Sequence, residues 1–247
     1  MSSNKPFSND VSANEFVTEL KKTTPCRVGI GHCGARYPTK AQLKFREDLA
    51  ISKDAVQRDV PSAVVEKLGL IALQSRVRNR AEYLMNTTAG RFLNLESAAR
   101  VEKEGTKGAD IQLLVSDGLS SEAFERNVPD MLPLLTQRLK EAGVTLAKPL
   151  FIRWARVAVI DHVGEILKPK ASLILLGERP GLGVSDSLSG YFEYEPRAAR
   201  VESDRNVLCN IHRQGVPPTE AALMLADALL KVIQLKKSGM TVRFDFV

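Results

Sequence analysis

The sequence contains few cysteines and no long apolar run. Its three cysteines, Cys26, Cys33 and Cys209, form no CxxC pair. An odd count without paired spacing argues against a disulfide framework and indicates a reducing compartment. No apolar run reaches the roughly 18 residues of a membrane span, and the polar residues 1–12 lack a secretory hydrophobic segment. We therefore predict no membrane partner and a disordered start over residues 1–12.

Aromatic residues are also scarce, with one Trp, four Tyr and nine Phe among 247 residues. The net charge is +6, but the basic residues are dispersed among acidic ones rather than forming a tract. Because nucleic-acid binding commonly needs a basic stripe and stacking rings, we predict no nucleic-acid partner. The positive charge instead suits an acidic protein partner. Arg76, Arg78 and Arg80 alternate, so an extended segment would place them on one face, either solvated or at such an interface.

The common chemical signatures are missing as well. The sequence has no hydrolase nucleophile motif, no Walker A loop and no zinc signature. Its three histidines, His32, His162 and His212, are far apart and have no metal-ligand spacing. We therefore predict no metal site.

The pattern of the chain changes near residue 108. Before it, periodic apolar residues predict helices at 13–22, at 39–58, after Pro61 and at 91–103. From Asp110 strands and helices alternate, as in a parallel sheet. We predict strands at 111–115, 150–152, 173–176, 191–194 and 207–209. We also predict a helix capped by Ser120 or Ser121, and helices opening at Pro129, Val157 and Pro217. The predicted fold class is α/β, with a helix-rich N-terminal part (1–107) followed by a Rossmann-like, mostly parallel sheet domain (108–247).

One stretch combines a buried strand with a glycine-rich loop. Residues 173–176 are four apolar residues in a row, which predicts a strand buried on both faces. Three glycines and one proline follow within residues 177–183, and glycine there permits a sharp turn and the close approach of a ligand. In open α/β sheets, ligands bind beyond the carboxyl ends of the strands. The stretch is therefore either a ligand-binding loop or a solvated turn in which Glu178 and Arg179 form an ion pair.

Two glycine patterns raise a dinucleotide-binding alternative. Gly181-Leu182-Gly183 begins a G-x-G-x-x-G pattern, but its sixth position is Asp186, where a small residue is needed for helix packing. Residues 27–34 contain three glycines, yet residues 37–39 intervene before the next predicted helix. We interpret residues 27–34 as a connector. A nucleotide-binding oxidoreductase-like α/β domain stays as the alternative function.

Four sequence blocks, taken in order, resemble one enzyme family. They are Ser-Asp-Gly-Leu-Ser at 116–120, Gly-Glu-Ile-Leu at 164–167, Gly-Glu-Arg-Pro-Gly-Leu-Gly at 177–183 with Ser-Asp-Ser-Leu-Ser at 185–189, and Glu-x-Asp-Arg at 202–205 leading to Asn-Ile-His at 210–212. This ordered set resembles the small (light) subunit of ethanolamine ammonia-lyase. The similarity runs from about residue 27 to about residue 239.

The resemblance implies a function for the chain. The family's enzyme uses adenosylcobalamin to convert ethanolamine to acetaldehyde and ammonia by a radical mechanism. The substrate pocket lies in the large subunit, so this chain would be one partner of a heteromeric oligomer and would contribute no catalytic residue. The resemblance also implies a cytoplasmic protein and admits packaging in an ethanolamine-utilisation bacterial microcompartment.

The resemblance further implies where the cofactor is contacted. The family's contacts correspond to Val157, to Glu178, and to Val207, where the family has a cysteine. Cys209 lies two residues further on and would share the face of Val207 in a strand. We expect the contacts in the carboxyl-end loops at 116–120, 154–157, 177–183 and 204–209. His162 is predicted to be a surface or interface histidine, since the family's cofactor keeps its own dimethylbenzimidazole on cobalt.

Overall fold

The computed structural model describes residues 15–24 and 26–244 of the chain. The predicted disordered start, residues 1–12, lies outside the described residues. The chain divides into two compact units, one ending at Ile51 and the other beginning at Ser52.

The first unit has little interior of its own. It contains α1 (Glu15–Thr23) and most of α2 (Thr39–Gln57), which overlap the helices expected at 13–22 and 39–58. Asp48 is the only buried residue among those described in this unit, where it pairs with Arg27. The apolar residues of this part of α2 face solvent, for example Leu43 at 60% and Phe45 at 44% exposure. The unit therefore displays apolar surface rather than enclosing it.

The second unit is built on one sheet. Its helices and strands are α3 (Ser62–Lys67), β1 (Ile71–Gln74), α4 (Arg80–Met85), α5 (Leu95–Glu104), β2 (Ile111–Ser116), α6 (Ser121–Glu141), β3 (Leu150–Arg153), α7 (Val159–Leu167), β4 (Ala171–Gly177), β5 (Leu188–Tyr194), β6 (Asn206–Ile211) and α8 (Pro218–Leu235). Over the described part of the chain this gives eight α-helices and a six-stranded sheet.

The sheet is mostly parallel. Its strand order is β1-β3-β2-β4-β5-β6. The first four strands in that order pair in parallel, whereas β5 runs antiparallel to both β4 and β6. The predicted α/β class is confirmed at this level. The order differs from the 3-2-1-4-5-6 order of the dinucleotide-binding fold.

Side chains from the two faces of the sheet enter separate cores. Leu173 and Leu175 belong to the cluster that includes residues of α6 and α8. Ile174 and Leu176 belong to the cluster that includes residues of α5 and α7. This follows from the alternation of side chains along a strand, and we call the two sides the α6 face and the α7 face. All seven residues of β4 are buried, as predicted for a central parallel strand.

Strand β1 is absent from the sequence prediction. It has only four residues, and its burial alternates rather than forming an apolar run. β1 lies at the edge of the sheet, so part of the strand faces solvent and its apolar residues alternate with others. A strand this short, without a continuous apolar run, is difficult to recognise from sequence. The sheet therefore begins inside the part of the chain that we expected to be helical.

Helix α6 joins two helices that the sequence predicts separately. It starts at Ser121, and the Oγ of Ser120 accepts a hydrogen bond from the backbone N–H of Ala123 at 3.1 Å, which confirms the predicted cap. We expected Pro129 to open a second helix, but α6 continues through it. Pro129 therefore lies inside the helix, where it lacks the N–H of a regular turn. The continuous buried stripe of α6, which includes Phe124 and Leu135, outweighs that loss.

The prediction for the three arginines is wrong at Arg80. Arg76 and Arg78 are exposed, but Arg80 is the first residue of α4 and is only 8% exposed. Asn79 caps this helix by accepting a hydrogen bond from the N–H of Glu82, which ends the extended segment. Arg80 therefore points into the second unit.

Candidate functional site

The usual ligand crevice of such a sheet is filled by the protein itself. Helix α6, which follows β2, packs on one face of the sheet, and α7, which follows β3, packs on the other. Because β2 and β3 are neighbours, the connections leave the sheet in opposite directions between them. Ligands commonly bind at such a crossing. Here the Oδ1 of buried Asp117 accepts a hydrogen bond from the N–H of Trp154 at 2.7 Å, and Arg80 Nη2 lies 3.3 Å from its Oδ2. Arg80 also donates to the carbonyl oxygen of Gly118 at 2.8 Å.

This network changes the interpretation of the loop at 116–120. Four of its five residues are buried and the fifth is half-buried, so the loop is packed inside rather than open to a ligand. Burial raises the pKa of Asp117, while the Arg80 guanidinium and the Trp154 N–H oppose that rise. A cofactor contact by this loop stays a prediction, and the side chains of Asp117 and Ser120 already have hydrogen-bond partners within the chain.

Two of the family-like blocks touch through their glycines. A Cβ on Gly118 would lie 2.3 Å from the carbonyl oxygen of Gly177, and a Cβ on Gly177 would lie 2.3 Å from that of Asp117. The N–H of Leu119 donates to the Gly177 carbonyl at 2.9 Å. We expected Gly177 to permit a turn and the approach of a ligand. It instead permits the loop after β2 to pack directly on the end of β4.

The three predicted contact residues lie on the α7 face. Val157 is half-buried against the core of that face. Side chains alternate along β4, and Ile174 and Leu176 lie on the α7 face. Glu178 directly follows the strand and continues this alternation, so it lies on the same face. Val207 is paired across the strands with Tyr191, which packs against the same core.

The α7 face is open at the last strand. Val207 is 42% exposed and Cys209 is also exposed, whereas Leu208 between them is buried. Val207 and Cys209 therefore share one side of β6, as predicted. The exposed side chains make this end of the sheet an accessible and partly apolar surface.

Tyr191 links two of the predicted residues and was not singled out from the sequence. Its hydroxyl donates a hydrogen bond to Glu178 Oε1 at 2.7 Å, while its backbone pairs with that of Val207. Burial first, and then the Glu178 carboxylate, raise the pKa of Tyr191 well above its usual value. The sequence placed Tyr191 in a predicted strand, but a strand prediction does not show that its hydroxyl contacts Glu178.

A buried ionic cluster anchors the start of β6. Arg205 donates to Oδ2 of Asp161 in α7, and its Nε lies 3.0 Å from Oε2 of Glu193 in β5. Glu193 is fully buried and the other two are almost so. Burial, followed by the nearby Asp161, raises the pKa of Glu193 to about 9. The raised pKa of Glu193 favours its protonated form at neutral pH beside the single guanidinium of Arg205.

His162 follows Asp161 on α7 but is not part of this cluster. Its Nδ1 accepts a hydrogen bond from the N–H of Leu93 at 3.0 Å, and its ring packs edge-on against Phe92. Burial lowers its pKa. The imidazole is thus half-buried and used to hold the segment before α5.

Replacing Glu193 with glutamine should flatten the dependence of stability on pH. Between about 4.5 and about 9 the folded protein keeps a proton on Glu193 that the unfolded chain releases, so the free energy of unfolding falls as pH rises through that range. Glu193→Gln removes this titration. Melting temperatures of the chain measured at several pH values from 6 to 9 should therefore decline less in the variant. The exposed-site control Glu66→Gln should keep the wild-type slope, and an equal slope in Glu193→Gln would contradict the assignment.

Together, these features define an α/β unit in which the usual crevice is filled and the open end of the sheet presents an accessible surface. A family model described as ethanolamine ammonia-lyase light chain (EutC) matches residues 14–243. The chain belongs to this family, which confirms the resemblance noted in the sequence.

Membership settles the general function. The chain is the small subunit of ethanolamine ammonia-lyase, a two-subunit carbon–nitrogen lyase. The family implies a cobalamin-dependent enzyme and a heteromeric complex with the large subunit. Across the described ranges, no helix combines the length and apolar character needed to cross a membrane.

Proposed function

We propose that this chain binds adenosylcobalamin through Val157, Glu178 and Val207, at its interface with the large subunit. The observation that carries the proposal is the common placement of these residues on the α7 face. The three residues occupy the sequence positions of the family's cofactor contacts, and Val207 is accessible to a large ligand. The substitution of valine for the family's cysteine leaves the backbone N–H and carbonyl in place for a contact.

The residues suit the chemistry of this cofactor. A corrin is broad, has largely apolar faces and carries amides around its rim, so it is held by aliphatic contacts and a few polar anchors. Val207 and the half-buried Val157 offer aliphatic surface. Glu178 has one oxygen bound to Tyr191, and within the described chain no hydrogen bond to its Oε2 occurs. That oxygen is available to accept from an amide N–H.

The role of the chain is binding rather than chemistry. When bound, adenosylcobalamin supplies the cobalt–carbon bond whose homolysis starts the radical reaction of ethanolamine. Val157 and Val207 would cover an apolar part of the cofactor and exclude water there. Glu178 would orient it by accepting a hydrogen bond. No acid, base or nucleophile is assigned to this chain.

The exposed apolar surface supports a permanent partner. In the first unit, Phe16 is 71% and Leu43 is 60% exposed, and helices of this kind gain most of their stability from tertiary burial. Obligate interfaces commonly bury more than about 2,000 Å² and are more apolar than transient ones. We infer that the large subunit covers this surface.

The dinucleotide-binding alternative has less support. A Rossmann-like description fits the four parallel strands, but a dinucleotide would need the crevice that Asp117, Arg80 and Trp154 occupy. The loop at 177–183 also ends β4 without leading into a helix, because β5 follows it. The pyrophosphate would then lack a helix N-terminus at this position.

Replacing Glu178 with glutamine should weaken cofactor binding about ten-fold. The change removes the charged acceptor but keeps the size of the side chain, and a hydrogen bond to a charged group is worth about 1.5–3 kcal/mol, with about 1.4 kcal/mol per decade of affinity. The measurement is ammonia release by the assembled two-subunit complex as a function of adenosylcobalamin concentration. Turnover at saturating cofactor should stay largely intact.

The matched control is Glu220→Gln, an exposed glutamate in the first turn of α8. Helix α8 packs on the opposite face of the sheet, so this variant should leave the cofactor affinity unchanged. If Glu178→Gln abolished turnover at saturation without changing the affinity, Glu178 would act in the reaction and the binding role would be wrong.

A further inference from the structure

We propose that Tyr191 is a positioning residue for the cofactor, acting by holding the carboxylate of Glu178. This inference rests on the proposed function, because it assigns Glu178 as a cofactor contact. Tyr191 itself has no counterpart among the contacts that the resemblance implies. It is identified by the geometry of β5.

The first step of the argument is the hydrogen bond. The Tyr191 hydroxyl lies 2.7 Å from Glu178 Oε1, and the two residues are separated by the turn from β4 to β5. Glu178 follows the last residue of its strand, so its side chain has several rotamers unless something restricts it. The hydroxyl fixes Oε1 and so determines the direction of Oε2.

The second step is the rigidity of Tyr191. Its backbone lies in the middle of β5, with Ile174 of β4 on one side and Val207 of β6 on the other. Its ring is half-buried against the core of the α7 face. A side chain held in this way loses little further entropy when a ligand binds, and pre-organisation of this kind strengthens binding.

The third step is the protonation state. Burial and the neighbouring carboxylate raise the pKa of Tyr191 far above neutrality. The hydroxyl therefore remains a donor throughout the working range of pH, and the Glu178 oxygen remains its acceptor. The second oxygen of Glu178, which accepts no hydrogen bond within the described chain, is then held ready for the cofactor.

The test is a double-mutant cycle on the assembled complex with the large subunit. Binding of hydroxocobalamin, followed by corrinoid absorbance in equilibrium dialysis, is measured for the wild type, Tyr191→Phe, Glu178→Gln and the double variant. Tyr191→Phe keeps the ring and removes only the donor. It should raise the dissociation constant roughly three- to ten-fold, and the double variant should bind no more weakly than Glu178→Gln alone.

The control variant is Tyr194→Phe, in the same strand. Tyr194 packs against the core of the α6 face, so loss of its hydroxyl should not change cobalamin binding. Melting temperatures of all variants separate a structural effect from a binding effect. Turnover at saturating adenosylcobalamin should be preserved in Tyr191→Phe, since the residue acts on affinity.

The outcomes distinguish this inference from the proposed function. If Glu178→Gln weakens binding but Tyr191→Phe only lowers the melting temperature, the tyrosine is a structural tie and the positioning role is wrong. Additive losses in the double variant would also overturn it, because Tyr191 would then act independently of Glu178. If neither variant changes the dissociation constant, the assignment of Glu178 as a cofactor contact fails together with the inference.

Discussion

Replacing Gly177 with alanine should lower the free energy of unfolding by about 3 kcal/mol, the upper end of the usual cost of overpacking. The added Cβ would lie 2.3 Å from the carbonyl oxygen of Asp117 and 2.4 Å from that of Ser120. Neither oxygen belongs to a flexible side chain that can move away. For a chain of this size the loss corresponds to roughly 6–12 °C in melting temperature, which thermal unfolding measures directly.

The same loop contains a matched control. A Cβ on Gly181 would meet its nearest neighbour, the carbonyl oxygen of Val184, at 3.6 Å, which is ordinary van der Waals contact. The hydrogen bond from the N–H of Gly181 to that oxygen does not depend on the side chain. Gly181→Ala should therefore change the melting temperature by about 2 °C or less. If both variants lowered the melting temperature by similar amounts, glycine would be needed for the flexibility of the loop. The close approach of Gly118 and Gly177 would then not be the reason.

Replacing Arg205 with methionine should cost about 3–5 kcal/mol of stability, because it leaves buried carboxyl groups without their cation. Asp161 loses its hydrogen-bonded partner, and Glu193 loses the guanidinium 3.0 Å from its Oε2. Methionine is apolar and of similar length, so the loss of packing is small. Denaturant unfolding of wild type and variant gives the difference in the free energy of unfolding.

Two further variants test the electrostatic origin of that loss. The exposed Arg213→Met should be nearly neutral. Adding Asp161→Asn and Glu193→Gln to Arg205→Met replaces both buried carboxyl groups with neutral amides, so the triple variant should recover much of the lost stability. If it stays as unstable as Arg205→Met, the contribution of Arg205 is packing and the ionic account is wrong. Because Val207 follows Arg205 by two residues, Arg205→Met should also weaken the ordering of β6.

Much of the second unit could be predicted from local pattern. β2 and β4 are runs of apolar residues buried on both faces, and such runs need no knowledge of the partner strand to be recognised. The positions of Val157, Glu178 and Val207 followed from the family-like blocks that surround them. Edge strand β1 and the proline inside α6 were not predictable, because the contacts that stabilise them come from elsewhere in the chain.

The sequence by itself determined the family, the alternation of strands and helices after residue 108, and the α/β class. These depend on residues close together in the chain, where periodicity and motif order carry the information. Only the tertiary structure decided that Asp117 fills the usual crevice with Arg80 and Trp154, residues 37 positions away in each direction. It also decided that Tyr191 holds Glu178, since strand order and register determine which distant side chains meet.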